Sequence, residues 1–265
     1  DVLDLTPYAH SPAFSTVSLR PPAVALGHVL NVDHFRMSQP TFPPHPHAGF
    51  SAVTWMLPWS EGAFVNRDSL GDRSRIGPGT LHWTLAGRGM LHEEVPERPG
   101  VPSDGLQIFV KLPEGDELTA PRALHLGPDT LPTLRDADGA VIVLVGAVGA
   151  TRSPVPAHAD TTLAHVAVSG ARRLDVPAGL DAFALVLRGE GRLNGQPARR
   201  HQAVALPAGA LTLDGDGFDV LVGWSTPLPA RPTFQGPFCM FDRARLTDAV
   251  ARYRSGAMGA LSPSF

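Results

Sequence analysis

Two short triplets carry the residues best suited to chemistry: His45-Pro46-His47 and, forty-five residues after His47, His92-Glu93-Glu94. Successive side chains on an extended strand point to opposite faces, so residues two apart point the same way. Each triplet can therefore aim two ligand-type groups at one point, His45 with His47 and His92 with Glu94. If the two strands face each other, three imidazoles and one carboxylate converge. Such a nitrogen–oxygen set suits one borderline divalent metal: iron, nickel, copper, manganese or zinc. A metal that accepts five or six ligands would keep positions for water, dioxygen or a chelating substrate, unlike the closed sites of structural zinc. Glu94 has two roles open to it, as a metal ligand or as a general base toward an incoming acidic hydroxyl. Glu93 should point to the opposite face and be solvated.

The backbone around both triplets is stiffened or sharply turned. Pro43, Pro44 and Pro46 surround the first, and Gly87 and Gly89 precede the second, which favours a preformed ligand set. The chain has 27 glycines and 27 prolines, about a fifth of its length against a usual share of roughly 12%. They punctuate short apolar runs of strand character. In the first half these are Ser51–Leu57, Ala63–Arg67, Leu81–Leu85, Met90–Val95 and Leu106–Leu112. In the second they are Val141–Val145, Leu163–Val168, Phe183–Leu187, Ala203–Leu206 and Phe218–Gly223. Regular short strands with turn signals predict an all-β sandwich or barrel. The proline-containing segment Leu112–Thr133 reads as the linker between a metal-binding domain over 1–134 and a metal-free domain over 135–265. One helix is expected near the C-terminus, where Leu246, Ala249, Val250 and Tyr253 form a stripe. Asp242 is placed to cap its start and Gly256 its end, and it should pack back on the fold.

The halves read as versions of one unit. Pro44–Phe50 overlays Pro177–Phe183, and the turn before Met90 overlays the turn before Phe218. In this register His45, His47, His92 and Glu94 correspond to Ala178, Leu180, Val220 and Val222, so a single metal is expected, in the N-terminal half.

Other chemistries are poorly supported. A net charge of −3 with no basic run argues against nucleic-acid binding and against a polybasic membrane contact. No apolar stretch reaches spanning length. The single cysteine, Cys239, excludes thiol-rich metal sites and fits a reducing compartment. The N-terminal Asp1-Val2-Leu3-Asp4 lacks leader character, so the expected location is the cytoplasm. There is no phosphate-binding loop, no complete dinucleotide fingerprint and no nucleophile elbow. Candidate pocket residues are His82, Trp55, Met56, Trp83, Met90 and Phe109. His34 is a candidate on the same footing as His82; Arg67 and Asp68 are weaker ones, Arg67–Gly71 reading first as an Asx-type turn. The remaining histidines read as surface or structural.

Several of these stretches together resemble the pirin family of two-domain cupins. They are His45-Pro46-His47-Ala48-Gly49-Phe50, Arg67-Asp68-Ser69-Leu70-Gly71, Ala86–Glu94, Gly105–Val110, Gly236–Met240 and Tyr253-Arg254-Ser255-Gly256. The resemblance implies a bicupin: two tandem β-sandwich (jelly-roll) domains, with a short C-terminal helix here. It implies one iron-type metal held by His45, His47, His92 and Glu94. It further implies either a quercetin 2,3-dioxygenase-like enzyme, opening a flavonol-type aromatic substrate with O2, or a metal- and redox-sensing regulator acting through a protein partner. The chain departs from the common family pattern at Ala48, Ser51 and Asn66, where Arg, Glu and His are frequent, and in the Pro58–Glu61 loop. These departures remove charge near the cavity.

Overall fold

A computed structural model describes residues 2–265; Asp1, and with it the first residue of the N-terminal expectation, lies outside the described residues. Those residues form antiparallel sheets, one twelve-residue α-helix and two short 3-10 turns. No described helix is long and apolar enough to cross a membrane.

The chain divides into two compact units that do not follow one cut near residue 134. One holds Tyr8–Thr16, Asp33–Asp129 and Pro229–Phe265; the other holds the N-terminal residues through Pro7, Val17–Val32 and Thr130–Leu228. The C-terminal helix is therefore grouped with the unit of the histidine triplets, and a segment of the first thirty residues with the other.

In the histidine-bearing unit, the larger sheet runs Arg122–Leu126, Leu81–Leu85, Phe50–Met56 and Ser103–Lys111. It continues through this unit's share of Val29–Met37 and Phe14–Leu19 to Tyr8–Ser11. A four-stranded sheet is ordered His45–His47, Met90–Pro96, Phe64–Asp68 and Arg73–Ile76. Every residue of Phe50–Met56 and Leu81–Leu85 is buried, although Leu81-His82-Trp83-Thr84-Leu85 alternates apolar and polar side chains, so the polar face of that strand is enclosed as well.

The expected linker at Leu112–Thr133 is instead built into this unit as far as Asp129. Glu114–Asp116 is a 3-10 turn, and Arg122–Leu126 pairs along the edge of Leu81–Leu85 with His125 opposite His82. The strand is mostly half-exposed, so its apolar signal is weak; the pairing groups of the neighbouring strand supply what side-chain propensity does not. Lys111 and Glu117 form a fully buried ion pair at 2.6 Å, and Arg245 of the helix reaches the same Glu117 carboxylate at 2.6 Å.

The helix Arg243–Arg254 begins where Asp242 accepts a hydrogen bond from the Ala244 amide at 2.7 Å. It ends in a Schellman motif: Gly256 sits at φ +76, its N–H bonds the Tyr253 carbonyl, and the Ala257 N–H bonds the Arg252 carbonyl. Leu246 and Ala249 are buried against Ala48, Leu91, Phe238 and Met240. Ala48 and Leu91 are the chain neighbours of His47 and His92, so this cluster backs the ligand strands. Tyr253, expected on the buried stripe, is exposed.

In the other unit the sheet order is Val2–Asp4, Gln202–Ala205, Asp181–Arg188, Gly209–Ser225, Thr162–Val176, Gly139–Val145 and Thr133–Asp136. A Glu190–Leu193/Gln196–Arg199 hairpin also pairs with Gly209–Ser225. The pairing repeats that of the histidine-bearing unit strand by strand and corrects the sequence overlay. Phe50–Met56 lies between Leu81–Leu85 and Ser103–Lys111, as Asp181–Arg188 lies between Gln202–Ala205 and the C-terminal part of Gly209–Ser225. Val220 and Val222 therefore match the Ser103–Lys111 strand. The counterpart of Met90–Pro96 is the N-terminal part of Gly209–Ser225, and that of His45–His47 is the end of Thr162–Val176, with Leu211 opposite Leu174. A long strand without a break hid this offset. The buried pairs Leu174/Val176 and Leu211/Leu213 occupy these strands within one aliphatic cluster, so the second unit still carries hydrocarbon where the first carries imidazole.

Candidate metal centre

The strand His45–His47 pairs antiparallel with Met90–Pro96, placing His92 directly opposite His45 and Met90 opposite His47. Two turns hold this register. The Gly49 N–H bonds the Gly87 carbonyl at 2.8 Å, and the Ala86–Gly89 turn closes through Gly89 N–H to the Ala86 carbonyl at 2.8 Å. Gly87 has φ +50, and a Cβ there would lie 2.1 Å from the Thr119 carbonyl oxygen, so only glycine fits.

His45, His47 and His92 each offer a ligand atom, and these atoms lie within 4.8 Å of one another. His92 Nε2 and His45 Nε2 are 3.2 Å apart. The His45 Nδ1–H donates to the Pro43 carbonyl at 2.9 Å, which fixes its tautomer and leaves the Nε2 lone pair facing the cluster. Burial lowers the pKa of all three imidazoles: His45 below its usual value, His47 down to about 3 and His92 well below the usual range, with the neighbouring histidines adding to the effect on His47 and His92. They are neutral at pH 7, the state a metal requires. A 3.2 Å gap between two imidazole nitrogens is also the spacing of neighbouring ligands on one ion whose metal–nitrogen bonds run about 2.0–2.1 Å. Donor type, charge state and spacing all fit a single first-row metal ion.

Glu94 is buried in the same cavity, but its carboxylate is not among the converging ligand atoms. Thr54 Oγ1 donates to it, at 2.9 Å from Oε1 and 3.1 Å from Oε2, and also lies 2.9 Å from Gln107 Oε1. One hydroxyl has one proton, so Thr54 serves Glu94 as donor and accepts from a Gln107 amide turned to present its NH2. Burial raises the Glu94 pKa to about 7, the Thr54 hydrogen bond opposing the rise.

Glu93 departs from the solvated state expected of it. It points away from the cluster but has no exposed surface; Arg67 Nη2 bonds one oxygen and the Ser264 amide the other at 3.1 Å. Arg67 also donates to the Ser262 carbonyl at 2.8 Å. The C-terminal tail covers this side of the strand, which no local pattern announces. Asp68 forms the expected Asx turn, its Oδ1 accepting from Leu70 N–H and Asp72 N–H.

The cluster opens into a cavity of about 260 Å³. Of the predicted pocket residues Phe109 lines it; Trp55, Met56, Trp83, Met90 and His82 are buried elsewhere in the unit. The walls are Phe14, Phe35, Met37, Phe42 and Phe64, with Thr16, Asp33 and Gln107 as polar points. Sequence reading missed these because Phe14–Leu19 and Val29–Met37 were not recognised as strands. The period-two patterns Phe14/Thr16, Asp33/Phe35/Met37 and Gln107/Phe109 were the available signal. His10 supports the wall, stacking on Phe14 at 4.6 Å and bonding Thr16 Oγ1 at 2.9 Å.

His34 lies outside the cavity lining and pairs with Asp104 at 2.7 Å. His165 and Asp219, on the corresponding strands of the other unit, make the same contact at 2.9 Å. A pair present in the unit without the imidazole cluster serves the sheet, not the metal.

A family profile described as Pirin matches residues 14–110. A pirin-like protein of Solanum lycopersicum is 30% identical over 251 residues, covering 91% of this chain and 84% of that one. A Pseudomonas aeruginosa protein bearing the provisional name quercetin 2,3-dioxygenase is 30% identical over 250 residues, covering 86% of each. Among solved structures, a quercetin 2,3-dioxygenase from Acinetobacter baumannii superposes with a TM-score of 0.85 at 21% identity, over 98% of this chain and 97% of that one. The Escherichia coli bacterial pirin YhhW in complex with nickel(II) does so with a TM-score of 0.67 at 18% identity, over 84% and 100%. These superpositions establish the bicupin fold.

Proposed function

The chain belongs to the pirin family, and from that premise we propose that it is a mononuclear metal protein with quercetin 2,3-dioxygenase-like activity on flavonol-type substrates. The observation that carries the reading is a triad of neutral imidazoles, two buried and one half-buried, opening into an aromatic-walled cavity that also holds a buried carboxyl group. The Pseudomonas relative's name supports the substrate class, and the nickel complex of the E. coli pirin supports a first-row ion. Iron is the metal we favour; nickel, manganese, copper and zinc share the ligand chemistry.

A bound ion would be held by His45, His47 and His92, with Glu94 as a further ligand or as a base, and would supply Lewis acidity and a meeting point for substrate and dioxygen. The protein's own part is to position, to take up a proton and to exclude water. Phe14, Phe42, Phe64 and Phe109 offer faces to a planar polyphenol. Glu94, whose pKa burial raises to about 7 in the metal-free protein, is placed to take the proton of an acidic 3-hydroxyl, and Thr54 steadies the carboxylate that bears it. The apolar walls limit competing hydrolysis.

Anaerobic loading with iron(II) or nickel(II), followed by quercetin and oxygen, should bleach the flavonol absorbance with uptake of dioxygen. Unchanged quercetin with every first-row metal overturns the enzymatic reading and favours regulation through a protein partner, which a pull-down comparing ferrous, ferric and metal-free protein would detect.

A further inference from the structure

Behind the ligand triad lies a row of polar residues, of which the proposed chemistry uses Thr54 and leaves His82 without a role. Gln107, Thr54, His82 and His125 stand directly opposite one another across four neighbouring strands. Thr54 bonds Glu94 from this sheet, so the row faces the strand of His92 and Glu94. On the opposing sheet Asn66 is opposite Glu94, and Asp68 is opposite His92. His82 is 1% exposed, and neither of its ring nitrogens has a hydrogen-bond partner in the protein. The same holds for His92 Nδ1, Asn66 Oδ1 and Asp68 Oδ2, all buried.

Five buried polar atoms without a protein partner would cost about 1–3 kcal/mol each, and native interiors meet that cost with bound water that makes two to four hydrogen bonds. The metal reading sharpens the need. With His92 Nε2 turned to the cluster and holding an ion, the ring proton sits on Nδ1, which then requires an acceptor. Acceptors are at hand in Asn66 Oδ1, Asp68 Oδ2 and one nitrogen of a neutral His82. At the far end of the row His125 is exposed, its ring 5.8 Å from that of His82, which brings the row out to solvent.

We propose that His82 is a positioning residue for the metal centre, acting with Asn66 through buried water that accepts the Nδ1 proton of His92. This rests on the metal reading above and assigns His82 no contact with substrate. Partners behind a ligating histidine typically change metal affinity by about 10–100-fold.

The test titrates nickel(II) alone into wild type, His82→Leu and His82→Asn, each verified as cooperatively folded, alongside a high-resolution crystal structure of the wild type. His82→Leu should bind nickel about 10–100-fold more weakly, while His82→Asn, which keeps a polar partner for water, should recover most of the loss. The crystal structure should place ordered water within hydrogen-bonding distance of both His82 and Asn66. Equal affinity in wild type and His82→Leu overturns the proposal, as does failure of the asparagine variant to recover affinity. If neither variant folds, the crystal structure decides alone, and the lack of such a water between His82 and Asn66 overturns it. A wild type that takes up no nickel removes the metal reading and this proposal together, whereas tight wild-type binding unaffected by His82→Leu removes only the latter.

Discussion

His92 Nε2 lies 3.2 Å from His45 Nε2, on residues directly opposite each other in an antiparallel pair. Their Cα separation is set by the ladder, and their ring orientation by the Pro43 carbonyl on one side and the buried space behind His92 on the other. Removing either ring breaks the smallest unit of the site. In His92→Ala, metal content measured by elemental analysis should fall from about one ion per chain to a small fraction; full retention would place the metal elsewhere.

Stability of the metal-free protein should respond to pH through Glu94. Its folded pKa of about 7 lies above the ordinary 4.5, so the folded state binds the extra proton between these values. That contribution is fully present below pH 4.5 and is lost as pH rises through 7. Glu94→Gln removes the effect. Its stability relative to wild type in urea should therefore improve from pH 4.5 to pH 8, by on the order of 3 kcal/mol. A pH-independent difference would contradict the burial of this carboxyl.

His47 acts in the opposite direction. Its folded pKa of about 3 lies below the usual 6.5, so the unfolded chain binds the proton first. Stability is lost as pH falls below 6.5 and continues to fall toward 3. Saturating metal should steepen this acid sensitivity, since protons compete with the ion for the same nitrogens; thermal melts at pH 7 and pH 5, with and without nickel, check it.

The tail bond to Glu93 gives a separate stability prediction. Glu93→Ala strips Arg67 of its fully buried partner and frees the Ser264 amide. Losing one member of such a pair costs about 3–5 kcal/mol when both are buried, and less here because Arg67 keeps some water contact. Urea midpoints should fall, and limited proteolysis should cut the C-terminal tail sooner; an unchanged tail would mean that Met258 packing and the Ser69–Met258 bond suffice to hold it.

Cys239 should be chemically silent in the native protein. It is fully buried, and its thiol is pushed up to about 12 by burial, leaving almost no thiolate at neutral pH. A thiol reagent should report no reactive group until denaturant is added; rapid labelling of folded protein would refute the placement.

Much of this was legible from local chemistry. The two-residue periodicity of His45/His47 and the glycine turn before His92 need only strand geometry, and the helix caps Asp242 and Gly256 need only the unpaired backbone groups of a helix end. The cavity wall was not legible in the same way. Phe14, Phe35, Phe42 and Phe64 come from separate strands and a loop, and each alone reads as ordinary core. Trp55 and Trp83, which looked like better pocket candidates, are fully enclosed in the sheet.

The sequence by itself determined the ligand types, their same-face spacing and the all-β class, because these follow from the alternation of side chains along a strand and from residue chemistry. Only the tertiary structure decided which residues share space. It put three imidazoles together and left the Glu94 carboxylate bonded to Thr54, buried Glu93 under the C-terminal tail, and shifted the counterpart of the metal strands to Leu174 and Leu211. The physical reason is that strand register and the facing of two sheets are set by pairings between distant segments, and no local pattern encodes which segment arrives opposite.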